Sequence, residues 1–375
     1  MSPMSRGLEL RRGNSGGIAV EEESLEDLRE QMRLLDLELV ALAAQRVVLA
    51  KRVGEIKRRQ GISTVDYAQE RAVLDRARSA ARERGLDPRV AEDLFTRLIR
   101  VSVSAQAEDR IRSLALGAGK SAVVVGGAGR MGRWLWHFLT ALGYTTGVID
   151  PAAAPDDSAW ARRALSSADL IVCSVPPAVI AKLYDEFAAN PPAGVVVDIA
   201  SIKTPVIGPI HTLRGAGVRV ASIHPMFGPS AVLLRDADIV ICDTGDAEAM
   251  AIVERLFQPT TARLVHLPLA DHDRIMADLL SLAHATAIAF ALSVPQTEHP
   301  VQSTTFQALE TLAAAVVRES PEVYYEIQAG NPHSMEALER LRLAIDRIVT
   351  TIRGRDSRGF QLLFDEGRRR TPEPT

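Results

Sequence analysis

Cysteine is nearly absent: Cys173 and Cys242 are the two in 375 residues, and each sits inside an apolar run, LIVCSV and IVICDT. A disulfide scaffold is thereby excluded, and two buried, reduced thiols are expected. Charge of one sign is also lacking. Lys plus Arg number 44 against 47 Asp plus Glu, a formal net charge of -3, so no overall field selects nucleic acid or a membrane surface as partner. Residues 1–23 carry Gly, Ser, Arg and then Glu21, Glu22 and Glu23, without the apolar core of a secretion signal. The longest apolar stretch, Leu279 to Val294, contains Ser281, His284 and Thr286 and falls short of the ~20 residues of a membrane span. It reads as a buried helix, and the chain as cytoplasmic. No His/Cys cluster has metal-ligand spacing, so no metal is expected. With 47% hydrophobic and 24% charged residues the composition is that of globular protein, long enough for two or three domains.

Three regimes follow one another after a disordered tail at 1–23. Over 24–116 the pattern is helical. Leu25, Leu28, Met32, Leu35, Leu39, Leu42, Leu49, Val53 and Ile56 step by three and four, the seam of one helix about 50 Å long. Such a helix requires a partner, and a second copy of the chain is expected to supply it. A second helix is expected over 66–84, closed by Gly85, and a third from the Asp87-Pro88 cap to the Arg112 region. Over 120–267 apolar runs (AVVVGG, TTGVID, DLIVCSV, GVVVDIA, VRVASI, DIVICD) alternate with helical stretches, the pattern of a doubly wound parallel α/β sheet of Rossmann type. Over 268–367 only helices are expected, an all-α C-terminal module for substrate and dimerisation. The last eight residues, 368–375, read as a frayed tail.

Gly127-Ala128-Gly129-Arg130-Met131-Gly132 satisfies G-x-G-x-x-G between an expected strand and an expected helix, the context that gives this otherwise weak pattern meaning. Gly127, Gly129, Arg130, Met131 and Gly132 would cradle a pyrophosphate at the helix N-terminus. Asp150, at the end of the second strand, is placed to accept from a ribose 2′-hydroxyl and to repel a 2′-phosphate, so NAD is the expected cofactor.

Several charged and polar residues interrupt apolar stripes of the first module. Arg46 stands in the long seam, Lys57 follows Ile56 near the same face, and Ser102 and Gln106 continue the stripe of Phe95 and Ile99. Glu70 begins the middle helix. A solvated face explains any one of them as well; several converging on one bundle point to a buried anionic ligand.

These residues carry a resemblance. Leu28-Arg29-Glu30, Ala44-Gln45-Arg46, Val53 to Lys57, Asp66 to Arg71 and Ser102 to Gln106 resemble the all-helical chorismate mutase module, an intertwined homodimer. The resemblance implies that Arg46, and Arg29 of the partner subunit, hold the substrate carboxylates, with Ser102 lining one of them. Lys57 and Gln106 would donate to the ether oxygen, while Asp66 and Glu70 belong to the same substrate site, Glu70 at the C4 substituent. A Claisen rearrangement needs no acid, base or nucleophile, only a compact conformer and donors where the ether oxygen gains charge.

His224 to Pro229 (HPMFGP), Asp198 to Lys203 (DIASIK) and Ser281 to His284 (SLAH) resemble prephenate dehydrogenase, and the fused order resembles the bifunctional mutase/dehydrogenases. His224, ending the fifth strand, lies where doubly wound sheets place ligands, and a neutral imidazole there can take a proton as hydride leaves C4. By resemblance Ser201 orients His224 and the nicotinamide, while Ser281 and His284 approach the substrate. His284 also reads as a core histidine of an apolar helix, and His272, between Asp271 and Asp273, as a surface residue at a helix start.

Three positions where the family places a cation are neutral here: Gln69, Gln307 and Ala315, with Arg318 close to the last. A substrate bearing its own cation accounts for this. In a 4-amino-4-deoxychorismate the C4 ammonium would repel arginines and pair with Glu70, and the end product would be 4-aminophenylpyruvate, a precursor in specialised metabolism such as antibiotic biosynthesis. The alternatives are the ordinary tyrosine-pathway enzyme making 4-hydroxyphenylpyruvate and a catalytically silent regulator binding NAD and a metabolite. Lys57, Gln106 and His224 argue against the silent regulator.

Overall fold

The computed structural model describes residues 24–153, 155–229, 231, 234, 237–295 and 301–371. The expected tail at 1–23 and the last four residues lie outside them. Two compact units divide between Leu49 and Ala50.

The long seam forms one helix, α1 (Leu25–Arg59), with acidic residues in its first turn and basic ones in its last, as the helix dipole favours. Its only buried residue is Ala50. Seam residues Leu25, Met32, Leu35, Leu39 and Leu49 are each more than half exposed. Apolar area on that scale is not left in water by a folded protein without a further surface to meet it.

Within the second unit α2 (Tyr67–Glu83) starts at Asp66, whose carboxylate accepts the Gln69 N–H at 3.0 Å. Helix α3 (Pro88–Leu114) starts at Asp87, which accepts from Arg89 N–H at 2.9 Å, with proline at the first helical position. Arg78 of α2 pairs with Glu92 of α3, and Ala77, Ala81 and Ala91 let the two helices pack closely.

The expected sheet is present. Strands β1 (Ser121–Val125), β2 (Thr145–Ile149), β3 (Leu170–Cys173), β4 (Val195–Asp198), β5 (Val220–Pro225), β6 (Asp238–Asp243) and β7 (Arg263–Pro268) run in the order β2-β1-β3-β4-β5-β6-β7. Helices α4 (Arg130–Ala141), α5 (Pro155–Ala164), α6 (Pro177–Ala189), α7 (Thr204–Gly215) and α8 (Ala247–Phe257) connect them. β3 and β4 are buried along their whole length, as strands covered on both faces must be. Two features differ from expectation. β6 pairs antiparallel with β5, and the segment RLVHLP forms a seventh strand beside β6 at the sheet edge. Arg263 and His266 interrupt that run, and an edge strand needs no fully apolar face.

After β7 come α9 (His272–Met276), a π-helical segment at Ala277–Leu282, and α10 (Ala283–Ser293). Helices α11 (Thr304–Val317), α12 (Pro321–Gly330), α13 (Ser334–Arg353) and α14 (Ser357–Arg370) follow. Helix α14 extends to Arg370, so residues 368–370, expected in a frayed tail, are helical. The apolar stretch expected as a buried helix is mostly uncovered: α10 buries only Ala287, and Leu292 is 82% exposed. The continuous helical run His272–Ser293 is long and apolar enough to cross a membrane by length and composition. Its first turn is nevertheless tied into the sheet unit, because Asp273 accepts the backbone N–H groups of Lys203 and Thr204 at 2.7 Å each. Both cysteines are buried and free, and burial pushes their thiols up, that of Cys242 to about 11.

Candidate functional sites

At the nucleotide loop, sequence and geometry meet in the glycines. A Cβ on Gly132 would lie 2.1 Å from the Gly126 carbonyl oxygen, and one on Gly127 2.5 Å from the Val148 side chain. Only glycine lets the loop close this tightly on β2 and open α4 at Gly129. Asp150 follows β2 and accepts from Ala128 N–H at 3.1 Å and Ala152 N–H at 2.8 Å. A carboxylate has capacity for further donors, so a ribose hydroxyl remains compatible with both bonds. Arg130 pairs with Glu319 beyond the end of α11, while Met131 is half-buried in the first turn of α4. The loop, the helix N-terminus and the acidic strand end fit a dinucleotide.

His224 sits in β5 with only 4% of its surface exposed. Its Nδ1 lies 3.0 Å from Nε2 of His272, and His272 Nδ1 lies 2.7 Å from Asp273 Oδ1. This overturns two expectations. His272 is no surface residue but is fully buried, and it, not Ser201, is the partner of the His224 ring. Ser201 is half-buried in the turn before α7. Burial is the main cause that lowers the His224 pKa well below the usual histidine value, helped by His272 and Lys203 and opposed by Asp273. His272 is lowered as well, again chiefly by burial. The Asp273 carboxyl is drawn down to about 2: burial opposes this, but the hydrogen bonds from His272, Thr204 and Lys203 outweigh it.

Below His224, a fully buried Lys203 donates to Asp198 Oδ1 and to the Ile223 carbonyl, both at 2.8 Å. Asp198 also accepts from Tyr184 at 3.2 Å and Ser222 at 3.1 Å. The ammonium thus grips the carbonyl of the residue preceding His224. Sequence reasoning missed His272, Asp273 and this network. The D-H-D triplet opening an apolar helix was the one local signal, and it suits a solvated helix start equally.

Ser281 and His284 lie in and just after the π-helical segment. Ser281 is fully buried and its hydroxyl meets Ser334 Oγ at 2.6 Å, at the start of α13. His284 packs edge-on against Tyr324 at 4.4 Å, and its buried Nδ1 has no hydrogen-bond partner, unlike a satisfied core histidine. Gln307 bonds to Gln302, and Gln307, Ala315 and Arg318 are all exposed along α11 and its end.

In the helical module, Gln106 is buried on α3 with an unpartnered Oε1. A Cβ on Gly54 would come within 2.8 Å of its Cγ, so α1 and α3 touch there. Lys57 Nζ donates to the Thr64 carbonyl at 3.3 Å, Arg58 pairs with Asp109 at 3.1 Å, and Ser102 is buried with its hydroxyl on the Leu98 carbonyl. Glu70 is half-buried in the first turn of α2. Asp66 caps α2 through one carboxylate oxygen, a bond compatible with a further donor on the other. In the first unit Arg46 is half-buried, with its pKa lowered by burial, and Arg29 is exposed.

Fold and sites together define an NAD-dependent oxidoreductase carrying a helical isomerase module ahead of it. The type II chorismate mutase family matches residues 28–107, and the nucleotide-binding domain of prephenate dehydrogenase matches 143–266. The T-protein of Enterobacter agglomerans is 26% identical over 350 residues, 90% of each chain. The 4-amino-4-deoxyprephenate dehydrogenase of Streptomyces pristinaespiralis is 30% identical over 266 residues, 65% of this chain and 88% of that one. A solved prephenate dehydrogenase from A. aeolicus, in complex with hydroxyphenyl propionate and NAD+, shares the fold at TM-score 0.53 and 16% identity, covering 67% of this chain and 97% of that one. The chain belongs to the prephenate dehydrogenase family, in the form fused to a type II chorismate mutase domain.

Proposed function

We propose that this bifunctional enzyme rearranges 4-amino-4-deoxychorismate and then oxidatively decarboxylates the product to 4-aminophenylpyruvate. The observation that carries the choice of substrate is the neutral set Gln69, Gln307 and Ala315, where the family places cations, with Glu70 half-buried nearby in sequence. The 30% relative named for the amino substrate supports it. The matches to the type II chorismate mutase and prephenate dehydrogenase families favour chorismate itself as the second reading. The silent-regulator reading is set aside, because both matched families are enzymes.

In the mutase step the ether C–O bond breaks as the new C–C bond forms. Arg46, and Arg29 of a second copy joined through the exposed α1 seam, hold the carboxylates. Ser102 lines one of them, and the Lys57 ammonium and the Gln106 Nε2 amide donate to the ether oxygen. Glu70 pairs with the C4 ammonium. For the second step Gly127, Gly129, Arg130, Met131, Gly132 and Asp150 would hold NAD, which would supply the hydride acceptor. His224 takes a proton from the C4 ammonium so that the nitrogen lone pair can drive hydride off C4. The C1 carboxylate then leaves as carbon dioxide, and its bonding pair completes the aromatic ring. His284, with its unpartnered Nδ1, meets the substrate from the helical side.

Glu70→Gln tests the substrate reading. Mutase turnover of the amino substrate should fall about tenfold more than that of chorismate, the loss of one charge pair in a half-buried site. Equal losses on both substrates would contradict it.

A further inference from the structure

The proton acceptor proposed above is held by a chain of two residues that comes from a different part of the fold. His224 ends the sheet strand β5, whereas His272 and Asp273 open α9, the first helix after the sheet. The three groups form a chain of contacts, at 3.0 Å from His224 Nδ1 to His272 Nε2 and 2.7 Å from His272 Nδ1 to Asp273 Oδ1. We infer that His272 and Asp273 are positioning residues that fix the tautomer of His224, with its Nδ1 protonated and the Nε2 lone pair directed to the substrate. The inference deepens the proposed function and rests on His224 being the proton acceptor.

The direction follows from the end of the chain. Asp273 already accepts two backbone N–H groups, from Lys203 and Thr204 at 2.7 Å each, an arrangement that only an ionised carboxylate fully satisfies. An ionised carboxylate can only accept, so His272 carries its proton on Nδ1. A neutral imidazole protonated on Nδ1 has only a lone pair on Nε2. His224 must therefore donate from Nδ1, which leaves its own Nε2 as a base. With the opposite tautomer His224 would present an N–H to the substrate and could not take its proton.

The rest of the network keeps these contacts rigid. Asn331, at the end of α12, donates to the Asp273 carbonyl at 2.7 Å. Lys203 donates to the Ile223 carbonyl beside His224 and contributes its own N–H to Asp273. All five side chains are at least nine-tenths buried, so water does not compete for these bonds. The first turn of the C-terminal helical module thereby sets the protonation geometry of a residue in the nucleotide-binding sheet.

The test compares the full-length enzyme with its His272→Leu and His272→Gln variants. Dehydrogenase kcat, KM for NAD, mutase activity and the ¹⁵N ring shifts of His224 are measured for each. Leucine cannot accept from His224, and kcat should fall about 100-fold with KM for NAD and mutase activity unchanged. Glutamine can accept through its amide oxygen, and kcat should return to within about tenfold of the parent. The shifts should show the proton on Nδ1 in the parent and a mixture of tautomers in the leucine variant. Parent shifts with the proton on Nε2, or leucine and glutamine variants of equal kcat, would overturn the relay. Should the leucine variant lose mutase activity through misfolding, the parent shifts and the glutamine variant still decide. The two readings fail separately: His224→Asn with full dehydrogenase activity removes the proton acceptor itself, whereas its collapse beside an unaffected His272→Leu removes only the relay.

Discussion

Gly54 of α1 and Gln106 of α3 are in contact so close that a methyl group on Gly54 would lie 2.8 Å from Gln106 Cγ and 3.1 Å from its Cβ. The glycine thus sets where the only buried, unpartnered carboxamide oxygen among the described residues of the helical module can stand. Gly54→Ala must push that side chain or the helices apart, at a cost of about 1–3 kcal/mol. Mutase kcat should drop at least about tenfold while NADH formation from a prephenate-type substrate is unchanged. Parallel assays of the two half-reactions on one preparation check this.

Lys203 and Asp198 form an ion pair with neither side chain exposed. Removing one partner of such a pair strands the other in a dry interior, typically at about 3–5 kcal/mol. Lys203→Met should lower denaturant stability by that order. It should also impair dehydrogenation, because the Ile223 carbonyl next to His224 loses its donor. Equilibrium unfolding in urea, followed beside kcat, separates the two effects.

Burial holds the His224 pKa far below the usual histidine value, with His272 and Lys203 lowering it further and Asp273 opposing. The base form is therefore already present at neutral pH. The dehydrogenase kcat/KM should stay level as pH drops through 6.5 and decline only well below it. Stability has the same sign. Between the depressed native pKa and 6.5 the unfolded chain binds the extra proton, so stability is full above 6.5 and falls as pH falls. A pH series of kcat/KM and of urea midpoints reads both, and an acid limb centred at 6.5 would contradict the burial.

Asp150 engages the loop amide of Ala128, and an acidic residue at this strand end is the one expected to meet a ribose 2′-hydroxyl or 2′-phosphate. Asp150→Ser removes the negative charge and keeps an acceptor. The ratio of kcat/KM for NAD over NADP should fall at least about tenfold, the effect of relieving one like-charge contact at the site. Steady-state kinetics with both cofactors measure it.

The exposed seam of α1 makes a prediction about assembly. Leu35 and Leu39 are 59% and 58% exposed. Glutamate at both positions should leave the isolated chain's fold intact yet weaken self-association through α1 and lower mutase activity more than dehydrogenase activity. Sedimentation velocity with paired assays tests this.

Much of this architecture was legible because it is local. Asp66 and the Asp87-Pro88 pair announce helix starts by capping chemistry, and the glycine loop names its own strand–turn–helix context. Strand direction is not local: β6 reads as buried in either sense, and its antiparallel pairing to β5 depends on the connection between them. β7 was hidden by Arg263 and His266, which an edge strand tolerates. His272 was misread because its partner His224 lies 48 residues away, and no neighbouring residue shows that a histidine flanked by two aspartates will be buried. Asp66 shows a related limit: one carboxylate suits a cap and a ligand equally, and the bond to Gln69 N–H establishes the cap. The apolar stretch ending at Val294 looked like core, since sequence alone does not distinguish a helix covered by its own chain from one left for another surface.

The central claim is the identity of the C4 substituent, and the ratio of kcat/KM for 4-amino-4-deoxychorismate to that for chorismate tests it most directly. It is measured as NADH formation through both steps, with products assigned by mass. The neutral Gln69, Gln307 and Ala315 predict a ratio above one, at least about tenfold if one charge pair decides it. A ratio well below one, with 4-hydroxyphenylpyruvate as the favoured product, would contradict the account and make the chain an enzyme of the hydroxy series.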